Sequence, residues 1–448
     1  MTKRQLQRGF TVFAALFLFF CMAPKATAAA SFSDVPQDHW AYTEISAMAD
    51  RGLIQGNQGQ FSPGESVSIQ AFLSMLCRAS GFDDRNLEQG SHWSDPALAY
   101  GRYFNWFEEK ELENKAAPIT REFAAKLLVN ALFPDEINSG FLLSFQDAHK
   151  IDRSCVSHVK TAVQLGFMGG YEDGKFYPEG SLSRAAAAAL LYRALELKGT
   201  PEPGICIQVP ILMYHDVSYL GSGYSKTPEI FRAQMQELKD AGFHTIFYSE
   251  LINYVEYGAP LPDNPIIISI DDGYRTNYTY VFPILKELDM KAEISLIGDA
   301  ILLADWGMSW DEVREMSDSG LVSFQPHTKA LHGDHTAQGG RLGVLKMDSE
   351  SWDTYVNVFG NDTKLILDLI ESETGVRPQV FTYPRGKWNP MSEGIVSQLG
   401  CKATVTTKDG ISVITQGVPS SLRLMDRIGM DFRNGSVLAI LRQFGYEG

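Results

Sequence analysis

From residue 209 onward the apolar positions of the chain fall in short blocks. "VPILMYH", "FHTIFY", "IIISI", "AEISLI", "LVSFQ" and "QVFTYP" are rich in β-branched and aromatic side chains and too short for helices. Between them lie amphipathic segments such as "IFRAQMQELKDAG", "TYVFPILKELDM", "WDEVREMSDSG" and "DTKLILDLIESETG", several of them closed by glycine. Strand and helix in turn predict a parallel β/α architecture over 209–448, closed like a barrel rather than spread as an open sheet. Before residue 200 the pattern differs. Ile69, Phe72, Leu73 and Leu76 stand at i, i+3, i+4 and i+7, the spacing of one buried helical face. "LKGTPEPGICIQVP", with its clustered Gly and Pro, predicts a linker over 198–208.

The first half repeats itself. "FSDVPQDHWAYTEISAMADRGLIQGNQGQFSPGESVSIQAFLSMLCRASG" is echoed by "FQDAHKIDRSCVSHVKTAVQLGFMGGYEDGKFYPEGSLSRAAAAALLYRAL". Both run aromatic-x-Asp, helix, Gly-rich turn, Phe-x-Pro, second helix. A weaker copy, "HWSDPALAYGRYFNWFEEKELENKAAPITREFAAKLLVNAL", lies between them. Each unit is too small to be stable alone, so the three are expected to share a core. The units cover 31–82, 90–134 (degenerate) and 143–197.

These units resemble S-layer homology repeats. The resemblance implies an all-α three-repeat bundle that binds a secondary cell-wall polymer of a Gram-positive-type envelope, through an Arg opening each second helix. "ITREF" and "LSRAA" supply Arg121 and Arg184, whereas the first unit has Gln70 in "VSIQA". A guanidinium at a helix N-terminus suits an anionic glycan. The plainer readings are a solvated surface arginine and a bundle that only spaces domains.

Charge and the N-terminus narrow the setting. Lys3, Arg4 and Arg8 precede the apolar run "GFTVFAALFLFFCMA", followed by small residues. This predicts a cleaved secretory signal over 1–30 rather than a stable transmembrane anchor. Its loss moves the formal charge from −15 to −19, which argues against a nucleic-acid partner. Cys77, Cys155, Cys206 and Cys401 are scattered without a C-x-x-C pair, so any metal must be held by carboxylates and histidines.

Such residues gather after the apolar blocks. His215 follows "PILMY", Asp271 and Asp272 follow "IIISI", His327 follows "LVSFQP", and "TYPRG" follows "QVF". Parallel β/α barrels put their chemistry at that end of the strands. Two adjacent carboxylates there read either as a helix cap with a solvated neighbour or as a metal ligand beside a proton acceptor. In "HTKALH" a helix would leave His327 and His332 about 140° apart, so they are expected to converge from an irregular turn. With Asp272 they form a borderline ligand set that leaves positions open.

"SIDDGY", "WDEVREMSDSGLVSFQPHTKALH" and "FTYPRG" resemble the successive motifs of polysaccharide deacetylases, the NodB-type domain of carbohydrate esterase family 4. The resemblance implies a deformed (β/α) barrel, a divalent metal, usually zinc, and removal of acetyl groups from a glycan. On this chain Asp271 matches the general base and Asp272, His327 and His332 the metal ligands. The "HTxxLH" spacing and the "MYHDV" segment look like the branch acting on poly-N-acetylglucosamine. No histidine follows His335, which leaves His215 as the candidate general acid. His244 begins its strand and is the weaker rival. The family uses a backbone N–H at the position of Arg385 for the oxyanion. Thr382 stands where many members have an arginine orienting the base, and Pro326 precedes His327 where Ser or Asn is usual.

The expectation is a secreted, wall-attached deacetylase acting on an acetylated aminosugar polysaccharide: poly-N-acetylglucosamine, peptidoglycan or a chitin-like polymer. Its rivals are a non-catalytic glycan-binding protein and an O-acetyl esterase of xylan or another glycan. Trp306, Trp310, Trp352 and Trp388 are read mainly as core, with sugar stacking the alternative.

Overall fold

A computed structural model describes residues 32–446 apart from 85–86, 88–89, 91, 138–139, 200–203, 221–223, 304, 334–340 and 342. The expected signal segment lies outside these residues. Among the described residues no helix is long and apolar enough to cross a membrane.

Among the described residues from 32 to 198, the α-helices form three pairs: α1 (Tyr42–Asp50) with α2 (Ile69–Ala79), α3 (Asp95–Tyr103) with α4 (Arg121–Leu132), and α5 (Val156–Gln164) with α6 (Arg184–Lys198). Each second helix starts at a hydroxyl cap: Ser68, Thr120 and Ser183 accept from Ala71 N, Phe123 N and Ala186 N. The segments before these caps meet one another. Val67 N donates to Leu182 O, Leu182 N to Ile119 O and Ile119 N to Val67 O, at 3.0, 3.1 and 2.9 Å, a closed ring of three bonds relating the pairs by a pseudo-threefold axis. The aromatic-x-Asp motif also has a physical role. Asp34 accepts from Phe61 N and Ser62 N, and Asp147 from Phe176 N and Tyr177 N, so each carboxylate ties the head of its unit to the Phe-x-Pro turn.

The remainder is an α/β domain on a parallel sheet. β1 (Ile211–Tyr214), β2 (Pro265–Ile270), β3 (Ala292–Leu296) and β4 (Val322–Pro326) are successive neighbours, and β7 (Ile428–Gly429) pairs with β1 on the other side. β5 (Val380–Thr382) pairs with β6 (Ala403–Val405) in a separate parallel ladder. Between β4 and β5 the link is a side chain, Gln325 Oε1 accepting from Val380 N at 3.2 Å. A parallel bridge from Val405 to Met425 leads back toward β7. Of the expected barrel the ladders therefore make two arcs. Cys206–Val209, at the end of the expected linker, is already a strand, antiparallel to Ser412–Thr415.

The two regions share a core. Phe82, Tyr100 and Trp106 of the helical region are fully buried in one apolar cluster with Tyr355, Phe359, Met391 and Ile395 of the α/β domain. The contact is made by α3 against α7 (Trp352–Thr374) and α8 (Pro390–Gln398). Tyr100 Oη donates to Gly394 O at 2.9 Å and Tyr103 Oη to Asn361 Oδ1 at 3.2 Å, while Arg102 pairs with Asp353.

Candidate active site and metal centre

The predicted residues converge at the C-terminal ends of β1, β2 and β4. After β2 the chain turns through Asp272 and Gly273, at φ +76° and +77°, so the two carboxylates leave the strand in different directions. Asp271 turns into the protein at 1% exposure, and Asp272 faces the histidines. Residues 327–332 form an irregular turn, as the spacing required. It brings His327 Nε2 to 3.6 Å and His332 Nε2 to 3.3 Å from Asp272 Oδ1. The three donor atoms lie within 4.8 Å of one another, and all three residues are buried.

This cluster fits a divalent cation. Asp272 Oδ1 is buried without a hydrogen-bond donor, a costly state for a carboxylate unless a cation faces it. His327 Nδ1 lies 2.8 Å from Thr382 O, so it carries the proton, and the Nε2 lone pair is directed at the Asp272 side. Burial lowers the basicity of His327, which favours the neutral, ligating form. One carboxylate and two imidazoles are a donor set suited to zinc.

Two neighbours of the site were not anticipated. Arg427, wholly buried, holds Asp271 with two parallel bonds, Nη1 to Oδ1 and Nη2 to Oδ2, both 2.7 Å. Its remaining donors reach Ser269 Oγ and Thr406 O. Burial alone would raise the Asp271 carboxyl, but the Arg427 charge beside it holds it well below the usual carboxylate range. The arginine that the resemblance would place at Thr382 thus has a counterpart in Arg427, just before β7. Thr382 instead pairs its hydroxyl with Ser295 Oγ at 2.7 Å and lends its carbonyl to His327.

The second neighbour is Asp431, 8% exposed, whose Oδ2 lies 2.8 Å from His215 Nδ1. Burial would lower the His215 pKa, but Asp431, with Asp271 and Asp272 nearby, raises it to about 9. Asp431 thus favours the protonated form of His215 and anchors the ring through Nδ1. Arg427 and Asp431 flank β7, a two-residue strand too short to register as an apolar run. Asp431, however, follows the same rule as the other residues: it stands just past a strand's C-terminal end.

His215, Asp271, Asp272, His327, His332 and Arg385 all line one cavity of about 850 Å³. Arg385 sits in the short turn Pro384–Gly386 with φ +56°. Tyr224 and Phe432, 58% and 73% exposed with rings 5.8 Å apart, flank the His215 side, and Tyr274, its ring 4.7 Å from that of Trp306 and tilted by 38°, flanks Asp272. Trp352 is core, and His244 lies at the opposite end of the sheet, its Nδ1 bound to Asp263 O.

The arginines expected to bind polymer are partly engaged. Arg121 Nε and Nη2 donate to Phe176 O and Gly169 O of the third unit at 2.9 and 2.6 Å. Arg184 does the same to Phe61 O and Gln55 O of the first, both at 2.7 Å. Gln70 takes the third position and accepts from Ser94 Oγ at 3.3 Å. Each guanidinium clamps the turn of the next unit, and Arg121 also lines a surface cavity of about 460 Å³ with Trp40, Tyr171 and Arg193.

Comparison with known proteins finds two kinds of domain in the chain. The polysaccharide deacetylase family matches residues 258–404, and the S-layer homology domain matches 31–68 and 144–188. The chain carries S-layer homology domains and a polysaccharide deacetylase domain. The deacetylase region is similar to the putative polysaccharide deacetylase YxkH of Bacillus subtilis, 28% identical over 223 residues, 50% of this chain and 73% of that one. It is also similar to the poly-beta-1,6-N-acetyl-D-glucosamine N-deacetylase of Escherichia coli K12, 25% identical over 209 residues, 41% of this chain and 31% of the relative. The S-layer homology region is similar to S-layer protein EA1 of Bacillus anthracis, 28% identical over 180 residues, 38% of this chain and 20% of the relative. The chain thus spans under a third of the last two relatives.

Proposed function

We propose that the protein is a secreted hydrolase, held at the cell wall by its S-layer homology domains, that removes N-acetyl groups from an aminosugar polysaccharide. The observation that carries this reading is the placing of Asp271, paired with Arg427, and His215, paired with Asp431, in the cavity that holds the Asp272, His327 and His332 cluster. A divalent metal in that cluster, zinc by its donor set, supplies Lewis-acid polarisation of the acetyl carbonyl and acidifies water.

The protein's own groups do the rest. Asp271, kept ionised by Arg427, accepts the proton of the attacking water. The backbone N–H of Arg385, in its turn beside the metal cluster, is assigned to the developing oxyanion. His215, charged and fixed by Asp431, gives its proton to the amide nitrogen as the C–N bond breaks. Acetate and a free amine on the glycan are the products. Tyr224 and Phe432 offer apolar faces on which a sugar ring beside the reacting residue stacks.

The named activity of the E. coli relative supports a β-linked N-acetylglucosamine polymer as the substrate class. The test is acetate release by the zinc-stripped full-length protein from poly-N-acetylglucosamine, peptidoglycan and chitooligosaccharides, before and after zinc is restored. Zinc-dependent release from at least one is the expected result. Release only from O-acetylated xylan would make it an esterase, and no release from any would leave it a binding protein.

A further inference from the structure

α7 touches both the helical bundle and the metal-binding turn, on opposite faces. On one face Gly360 lies under the Tyr103 ring, where a Cβ would stand 2.6 Å from the Tyr103 hydroxyl oxygen, and Asn361 accepts from that hydroxyl. Two residues on, about 200° around the helix, Asp362 faces the other way. It is 7% exposed, and its two oxygens accept from successive amides, Lys329 N at 2.9 Å and Ala330 N at 2.7 Å. Those amides lie between His327 and His332.

The turn they belong to needs support. Thr328 is β-branched yet has φ +71°, a region that such residues avoid. Gly298 N and Asp299 N hold its other side by donating to Thr328 O and Lys329 O at 3.1 and 2.8 Å. Lys329 Nζ, whose charge faces the Asp362 pocket, pairs with Asp299 at 2.6 Å. Without Asp362 two amides, one buried and one half-buried, lose their acceptors, and the turn between the two imidazoles is released on that side.

We propose that Asp362 is a positioning residue for the metal ligands, and that the helical bundle, seated on Gly360 and Asn361, holds α7 and hence Asp362 in register with the turn. The S-layer homology region is then a brace for the metal centre as well as an anchor. This rests on reading Asp272, His327 and His332 as the metal ligands.

The test is cobalt(II) titration of the metal-stripped full-length protein, recording the dissociation constant and the visible absorption bands. Wild type is expected to take one equivalent at the cluster; if it takes none, the metal reading itself fails. Asp362→Asn keeps the side-chain shape but only one acceptor, and is expected to weaken cobalt binding about tenfold or more and to shift the bands, with the circular dichroism unchanged. Gly360→Leu, which drives the Tyr103 ring off α7, is expected to weaken binding in the same direction, and adding Tyr103→Ala to restore it. Wild-type affinity and bands in Asp362→Asn would overturn the positioning role. Wild-type values in Gly360→Leu would overturn the brace. Should Gly360→Leu not fold, Arg102→Gln with Tyr103→Phe removes the polar bonds from α3 to Asp353 and Asn361 of α7 without a clash, and unchanged cobalt binding there would overturn it equally.

Discussion

Asp271 is buried against a fully buried cation, and that pairing decides what the carboxylate can do. Removing the cation leaves an uncompensated charge, so Arg427→Met is expected to cost about 3–5 kcal/mol in urea unfolding at neutral pH. The sign follows from linkage. A carboxyl depressed in the folded state adds stability above its ordinary value near 3.8 that is lost as pH falls, so the gap between wild type and variant should close in acid. His215 has the opposite sense. Burial would lower its pKa, but Asp431 raises it, and the alkaline limb of the pH–kcat profile should lie above the ordinary imidazole value of 6.5. Asp431→Asn should move that limb toward 6.5 while zinc content stays at wild type; an unmoved limb would mean that another group is the acid. The residues legible in the sequence were those that close a long apolar run. Arg427 and Asp431 stand in "LMDRIGMDF", where a strand of two residues leaves no such run, so the partners that tune the base and the acid were hidden.

The central strands β1 to β4 were readable because burial on both faces makes them continuous apolar blocks, whereas Cys206–Val209 and Ser412–Thr415, buried at fewer positions, were not. Turns that aim the chemistry were readable only in part. "HTKALH" excluded a helix by its spacing, yet nothing local revealed that Asp362 would hold the turn. The turn of Arg385 is defined by Gly386, at φ +64°, where a Cβ would stand 2.8 Å from the Thr407 amide nitrogen. Gly386→Ala therefore cannot keep the backbone of Pro384–Gly386 in place. The expected outcome is a fall in kcat of about a hundredfold, the scale on which one oxyanion donor counts, with metal content retained because His327, His332 and Asp272 come from other elements. A wild-type kcat in a folded Gly386→Ala would remove the Arg385 N–H from the mechanism.

At the scale of the whole molecule, the repeat pattern made the three helix pairs and the change of architecture after residue 200 legible, but not their docking. Tyr100 and Tyr103 fit an ordinary helical face, and only the structure shows that face turned toward α7 and α8. The arginines were read as polymer contacts from the resemblance to S-layer homology repeats, and two donors of each are spent on carbonyls of the next unit. Wall binding and bundle stability are therefore entangled at Arg121, and they separate at Arg193, an exposed residue lining the same cavity on α6. In sedimentation of the full-length protein with purified Gram-positive walls, Arg193→Ala is expected to weaken binding several-fold with unchanged thermal unfolding, because it removes a cation that an anionic glycan meets from solvent. Arg121→Ala should weaken binding and also lower the unfolding temperature, since Phe176 O and Gly169 O lose their donors. If Arg193→Ala sediments like wild type, the cavity formed by Trp40, Tyr171 and Arg193 is not where the polymer lies. If Arg121→Ala loses binding at full stability, its guanidinium serves the polymer more than the clamp.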